Sequence, residues 1–517
     1  MQLYKPLLLL LLAILTIIVF YNSPFYPNLA LQQILNFDLS VRIVLTSFLL
    51  GAFLIVLPAQ NLTLTEMLFF TFYTASSLGA ILSKQMILVI VFCELMSISS
   101  FFIIAAGGKD SGYAIRYACT HFFIGMLLIT GLSIQNTGLI IIGLLMNCAC
   151  FPFSFWVVDA YPAASLHGAS YLSLFTTKVS FLVMLLHTYS SWQNYTEILA
   201  ILGAITALYS IVFAALEQNI RRFLGYNVVG QMGILIMTGS LLSHSKNAIS
   251  LLMLNIIFSI TYQLLLFTVV NSIISRTKAV NFNGVGKFLS VESMCTAIAI
   301  LTMAAFPGTA GFISKSCITS EIKMASAELT IYKNLLKILY PLLYSSLGLK
   351  FFYYMFVSKN RSKSPVAHGS NLPMIILALV CVIAGNPYLF IYNKSLIFDL
   401  VYNKQNLWYQ FNLLFCTTLL FIPLYKLFSP RINFKMDVDW IFRAFIPYIT
   451  SLLNRLILTM KDRFIRMMQS LTNLLTSSYF NNIDKFKEVF GYNSVAFVSA
   501  TSLVLITVLL VLLCLNP

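Results

Sequence analysis

Charge is scarce in this sequence. Aspartate, glutamate, lysine and arginine make up 9% of its 517 residues, against 59% hydrophobic residues. A soluble domain of this length needs far more charge to cover its surface. Acid is scarcer than base: 16 acidic residues stand against 32 basic ones, a formal net charge of +16. On a soluble protein that excess would suggest nucleic acid. Here the basic residues fall in the loops between apolar runs, so nucleic acid is excluded as a partner. No C-x-x-C pair exists. The nine cysteines are scattered in or beside apolar runs, and Cys148 and Cys150 are too close for that motif, so they read as small buried side chains. The five histidines (His121, His167, His187, His244 and His368) show no ligand spacing and read as loop or interface residues. With no metal cluster, no phosphate-binding loop and no nucleophile constellation, the sequence calls for no metal and no cofactor.

Long apolar runs are what the chain does have, from 6–20 through 137–158, 166–189, 289–313 and 406–428 to 493–514. A hydrocarbon core of ~30 Å takes about 20 helical residues, so the runs predict an all-α polytopic membrane protein of about fourteen or fifteen transmembrane helices. The backbone of each segment must be satisfied internally, and the runs do not alternate as barrel strands do. The first run follows Lys5 and reads as a retained helix rather than a cleaved signal. The basic loops (Lys109 and Arg116; Arg221 and Arg222; Arg276, Lys278 and Lys287; Lys359, Arg361 and Lys363; most of 429–490) fall on one side by span counting. By the positive-inside rule that side is the cytoplasm, with the C-terminus outside if the count is odd.

The expected organisation is N-terminal transmembrane helices over 1–85, a core over 86–365, further helices over 366–428, an amphipathic segment over 429–490 and a final helix over 491–517. The segment 429–490 is too charged to span. It sets Arg443, Arg455, Lys461, Arg463 and Arg466 among apolar residues at helical spacing, as a helix lying on the membrane surface or packed against protein does. Two places read as broken helices. "CFPFSFWVVDAYPAASLHGAS" carries Pro152, Asp159, Pro162 and Gly168, and "AAFPGTAGFISKS" carries Pro307, Gly308 and Gly311 before Lys315. Backbone freed in mid-membrane is tolerated only inside protein or beside a water cavity. Two such breaks suggest an internal repeat with a transport path between its halves.

A charge at the bilayer centre costs a few kcal/mol or more and is usually inward-facing and functional. Glu94 in "MILVIVFCELMSISSFFIIAA", Lys178 in "SYLSLFTTKVSFLVMLL", Lys315 in "FPGTAGFISK" and Lys350 in "LYSSLGLKFFYYMF" are the candidates. Desolvation disfavours the charged form of a buried amine, and a nearby carboxylate favours it again. A changing distance between Glu94 and Lys178 is therefore expected to load and unload a proton.

The stretches "FPFSFWVVDAYPAASLHGASYLSLFTTK", "NIRRFLGYNVVGQMG", "AAFPGTAGFISKS" and "GLKFFYYMFVSK" occur in that order over about residues 60 to 365. They resemble the D-subunit family of multisubunit monovalent cation/proton antiporters, related to the antiporter-like membrane subunits of respiratory complex I. The C-terminal "DVDWIFR" also looks like the stand-alone D-type members. The resemblance implies two inverted five-helix repeats, each with one broken helix, and a polar axis at mid-membrane. It places Glu94 at the family's membrane glutamate, Lys178 at its first-half lysine, Lys315 at the lysine of the second broken helix and Lys350 at a lysine common in the D-type branch. It implies protons and Na+ or K+ as cargo, other membrane subunits of an antiporter or complex I-like assembly as partners, and a bacterial cell membrane, or alternatively a mitochondrial inner membrane, as location.

The sequence departs from that pattern at positions expected to titrate. Asn147 stands where many relatives carry a lysine, Ser259 and Gln263 where they carry histidine and lysine, Asn227 where a histidine sometimes occurs, and Asn219 in place of the aspartate of "DIRR". These side chains hydrogen-bond but take up no proton at physiological pH. Three readings follow: a proton-translocating member of an antiporter, a proton-pumping member of an NADH-quinone oxidoreductase, or a non-conducting structural paralogue.

Overall fold

A computed structural model of the chain describes residues 4–21, 39–59, 62–108, 111–245, 247–282, 289–324, 329–358, 371–389, 401–426, 428 and 446–479. Among them the regular structure is helical: α1 (Tyr4–Tyr21), α2 (Leu39–Val56), α3 (Leu64–Leu82), α4 (Met86–Ala105), α5 (Gly112–Ser133), α6 (Thr137–Asn147), α7 (Phe155–Ala163), α8 (Leu166–Thr188), α9 (Thr196–Leu216), α10 (Ile220–Leu241), α11 (Ala248–Thr277), α12 (Ser290–Met303), α13 (Ala310–Met324), α14 (Thr330–Leu343), α15 (Leu372–Ile383), α16 (Lys404–Leu424) and α17 (Ile446–Tyr479). Two π turns and a short α turn, Lys350–Phe352, carry α14 on to Val357. Each apolar run of the sequence up to 406–428 coincides with helix, and the run 493–514 lies outside the described residues. Among the described residues, six helical stretches are long and apolar enough to cross a membrane. One of them, Leu166–Leu216, is α8 and α9 joined by a 3-10 turn. Shorter apolar helices, among them α6, α12 and α15, account for other runs. The expected fourteen or fifteen full spans thus include broken and short ones.

The chain forms two compact units, Met1–Asp437 and Val438–Pro517. In the second, α17 is a 34-residue helix. Arg455, Lys461, Arg463 and Arg466 lie along it, and Leu452, Leu456, Ile457 and Phe464 among them are exposed. Arg443 lies outside the described residues.

Burial within the first unit follows from the bilayer acting as solvent. Helices α8, α10 and α11 are buried along most of their length. Outer helices turn apolar stripes outward: Ile87, Val91, Leu95 and Ile98 on α4, and Phe122, Met126 and Ile129 on α5, are exposed. Spacings of three and four put each set on one helical face. The polar groups go inward, the reverse of a soluble bundle. Helices α9 and α10 approach backbone to backbone. A β-carbon on Gly203 would stand 2.6 Å from the Met237 nitrogen, and one on Gly233 would stand 2.7 Å from the Gly203 oxygen. Such small-residue contacts let membrane helices pack without a hydrophobic driving force. Gly233→Val is expected to push the pair apart and destabilise the fold by about 1–3 kcal/mol, the usual range for overpacking. The check is a lowered thermal midpoint of the purified protein in detergent.

The two breaks are built alike. At the end of α6, Ala149 adopts φ 58° and its N–H donates to the Met146 carbonyl, while Cys150 N–H donates to Leu145. At the end of α12, Ala305 adopts φ 60° and donates to Thr302, while Phe306 donates to Leu301. Both are Schellman caps, with alanine where glycine is usual. Pro152 and Pro307 follow and prevent the helix from continuing. After the first break, Ser165 caps α8 by accepting from Gly168 N–H at 2.9 Å. Two basic residues reach α7 and the turn after it. Arg116 pairs with Asp159 at 2.7 Å, and Arg221 donates to the carbonyls of Tyr161, Ala164 and Ser165. Asn219, the departure from "DIRR", still caps α10 by accepting from Arg221 N–H at 2.9 Å. Either side chain offers the oxygen this cap needs.

Candidate functional site

Lys178 is 1% exposed on α8, and its ammonium donates to the Ser173 carbonyl of its own helix. It makes no ion pair with Glu94: both residues are described, and no contact joins them. Glu94 is half-buried on α4. Its carboxylate rests against α5 at Gly125, where an added β-carbon would stand 1.8 Å from Oε1. It therefore turns toward the bundle, though not to Lys178, and the expected pair is not formed. The physical reason is local. A carbonyl inside the helix already supplies the negative end of a dipole to the ammonium, so no carboxylate is required at that spot.

Lys315, 6% exposed on α13, uses the same device across the break. Its ammonium donates to the carbonyl of Met303, the last residue of α12, and lies 4.8 Å from the Tyr340 ring centroid. A helix carboxyl end carries unpaired carbonyls and partial negative charge, which favour a cation.

The structure brings these two lysines to one place. A small internal cavity of about 10 Å³ is lined by Lys178 from α8, Gln231 from α10, Asn255, Ser259, Tyr262 and Gln263 from α11, and Lys315 from α13. That volume holds about one water molecule. The polar lining is only partly engaged. Tyr262 donates to Gln231 Oε1 at 2.8 Å, and Ser314 donates to Asn255 Oδ1 at 3.4 Å. Nε2 and Oε1 of Gln263 and Nε2 of Gln231 are buried with no partner among the described residues. Buried polar atoms are normally hydrogen-bonded, so these suit a small polar guest between the lysines. Asn227 is buried on α10 one helical turn from Gln231, its Oδ1 also without a partner among the described residues.

Asn147 and Lys350 lie elsewhere. Asn147 ends α6, and its side chain adjoins that of His121 on α5. His121 is 4% exposed and packed on Tyr117 and Trp156, with ring centroids 4.1 and 4.7 Å away. The reading of every histidine as a loop or interface residue fails for His121. It shares the inward face of α5 with Tyr117, Ile124, Gly125 and Leu128, a helical spacing legible in the sequence. Lys350 donates to the carbonyls of Ala214, Ala215 and Glu217 at 2.7, 2.8 and 2.8 Å, beside the faces of Phe223 and Phe282. An ammonium has three donors, and all three close the carboxyl end of α9. The cysteine reading holds for Cys93, Cys148, Cys150, Cys295 and Cys381, which are buried; Cys119 and Cys416 are exposed, and Cys514 lies outside the described residues. No group of three metal-ligating side chains occurs among the described residues.

Two broken helices and two buried lysines on one polar cavity are features to set beside known proteins. Residues 128–339 match the model of the NADH:quinone oxidoreductase/Mrp antiporter transmembrane family. The matched stretch holds Asn147, Lys178, Asn227, Ser259, Gln263 and Lys315, while Glu94 precedes it and Lys350 follows it. The chain is 25% identical over 265 residues to NADH-quinone oxidoreductase subunit N of Phocaeicola vulgatus, covering 49% of this chain and 55% of the relative. It is 27% identical over 293 residues to a Rhizobium meliloti protein named as a probable component of a K(+)/H(+) antiporter, covering 49% of this chain and 28% of the relative. The chain thus spans about half or less of the length of these relatives. Its fold is similar to a chain of the Mrp complex from Dietzia sp., with a TM-score of 0.71 and 17% identity, covering 91% of this chain and 59% of that one. It is a membrane protein with the antiporter-like fold.

Proposed function

We propose that this chain is the proton-translocating membrane subunit of an assembly that exchanges Na+ or K+ for protons. The observation that carries the reading is the single cavity lined by Lys178 and Lys315 with neutral polar side chains between them. In this mechanism a proton leaves one ammonium, crosses a guest water held by Gln263, Gln231 and Ser259, and arrives on the other amine. Amides and hydroxyls donate and accept without titrating, so they align the carrier and leave the charge on the lysines. Glu94, at the α4–α5 contact, is the acidic end of the first half. His121 beside Asn147 offers a ring that donates at one nitrogen and accepts at the other. Lys350 holds α9 in place rather than carrying protons. The chain's partners are other membrane subunits, and it resides in a bacterial cell membrane with its basic end in the cytoplasm.

The curated relative from Phocaeicola vulgatus is named as part of an NADH-quinone oxidoreductase. This favours a second reading, in which the same axis pumps protons for a redox complex whose other subunits carry the electrons. The deciding experiment reconstitutes the chain in vesicles, with and without its co-purifying subunits, and follows a pH gradient on adding Na+ or K+. Exchange with antiporter partners supports the first reading, and quinone-dependent pumping with redox partners supports the second. If neither appears, the chain is a scaffold. In the active assembly, Gln263→Leu is expected to slow proton movement by about tenfold or more, because the linking water loses its partners. Ser259→His with Gln263→Lys is expected to raise the rate, because titratable groups then line the link. Unchanged rates in both variants would remove the cavity from the path.

A further inference from the structure

Lys315 also lines a second and much larger cavity. It measures about 210 Å³ and lies between α13, α14 and α16, with Lys333, Lys337, Tyr340, Tyr409 and Gln410 among its walls. Lys315, Lys333 and Lys337 line one space, and none of its described lining residues is acidic. Lys337 also donates to Asn334 Oδ1 at 3.3 Å. The amides of the wall are already engaged: Gln410 donates to the Ala304 carbonyl and Asn406 to the Val401 carbonyl. The charge this wall presents to a guest is positive.

The mouth indicates which anion fits. Lys337 and Tyr409 are exposed. Beside them α14 exposes Ile331, Ile338 and Leu342, and α16 exposes Trp408, Phe411 and Phe415. An apolar surface therefore runs away from a basic pocket, with tryptophan and tyrosine at the junction. Aromatic side chains of this kind sit at the level of lipid headgroups, and basic pockets between membrane helices hold anionic ones. We propose that this cavity binds the phosphate headgroup of an anionic phospholipid, its acyl chains lying on the exposed faces of α14 and α16, so that the lipid phosphate serves as counter-charge to the Lys315 side of the axis. The proposal rests on the membrane reading of the fold and is independent of whether the axis conducts.

The test uses the purified full chain in neutral detergent, with retention of added lipid read by native mass spectrometry and thermal midpoint read in parallel. Phosphatidylglycerol is expected to be retained about tenfold more than phosphatidylcholine, a difference of about 1.4 kcal/mol, and to raise the midpoint. Lys333→Gln with Lys337→Gln, and separately Lys337→Glu, are expected to remove that preference. Lys84→Gln, an exposed site outside the cavity, is expected to keep it. Equal retention of the two lipids overturns the proposal, as does an undiminished preference in the cavity variants. Inorganic phosphate alone giving the same rise in midpoint as phosphatidylglycerol also overturns it, in favour of a free-anion site. Loss of lipid preference with exchange intact, or the converse, separates this proposal from the proposed function.

Discussion

Replacing Lys178 with methionine is expected to stop cation/proton exchange in vesicles while leaving the protein folded and inserted. Methionine keeps an unbranched chain of similar reach, and Leu174 and Leu182, one turn away on either side along α8, are buried apolar residues. Packing therefore changes little. What is lost is the amine, whose hydrogen-bond partner is a carbonyl of its own helix. That carbonyl lies inside α8 and keeps its helical neighbours, so no network collapses. Removal of a proton-transfer group lowers rates by about a hundredfold or more, and this is the scale expected. The readouts are the decay of an imposed pH gradient on adding Na+ or K+, and the thermal midpoint in detergent. Full exchange by a folded Lys178→Met protein removes the relay between the lysines, whatever other activity remains.

Lys350→Met is expected to give the opposite pattern. Three carbonyls at the end of α9 lose their shared ammonium together, and methionine supplies no donor. A buried acceptor left without a partner costs about 1–3 kcal/mol, so the loss is about 3 kcal/mol or more. The aromatic faces of Phe223 and Phe282 that cover the ammonium are left against a weaker partner. The variant should show a strongly lowered thermal midpoint and poor yield before any transport defect is separable. A Lys350→Met protein as stable as the unsubstituted one, but inactive, would instead return Lys350 to the proton path. The two lysines looked equivalent as buried cations in apolar runs, and the contrast between them is a matter of partners. Lys178 uses one carbonyl and faces a cavity; Lys350 uses three and faces aromatic rings.

Arg221 belongs with Lys350. It too sits on several carbonyls, those of Tyr161, Ala164 and Ser165 at the end of α7. Lys315 spans both roles, closing α12 at Met303 while lining two cavities. Helix carboxyl ends thus take the place of a carboxylate for Lys315, Lys350 and Arg221, whereas Arg276 keeps one, Glu292. A helix end holds a cation without fixing it in a tight ion pair, because its partial charge is about half a unit. In the proposed function, an ammonium held this way stays in the bundle and remains able to exchange its proton.

The sequence by itself determined the class, the helices and the breaks. Apolar length fixes a helix in lipid because no other local structure satisfies the backbone, and proline after a left-handed residue ends one wherever it occurs. It also singled out Lys178, Lys315 and Lys350, since burial of a charge is costly enough to be visible as an anomaly in composition. Only the tertiary structure decided what each charge meets: Glu94 at Gly125 rather than at Lys178, Lys350 at the end of α9, His121 in the bundle beside Asn147, and Gln231 and Tyr262 in the cavity. Hydrophobic periodicity tells which way a side chain points. Which helix stands opposite depends on close approaches such as Gly203 on Gly233, between residues far apart along the chain.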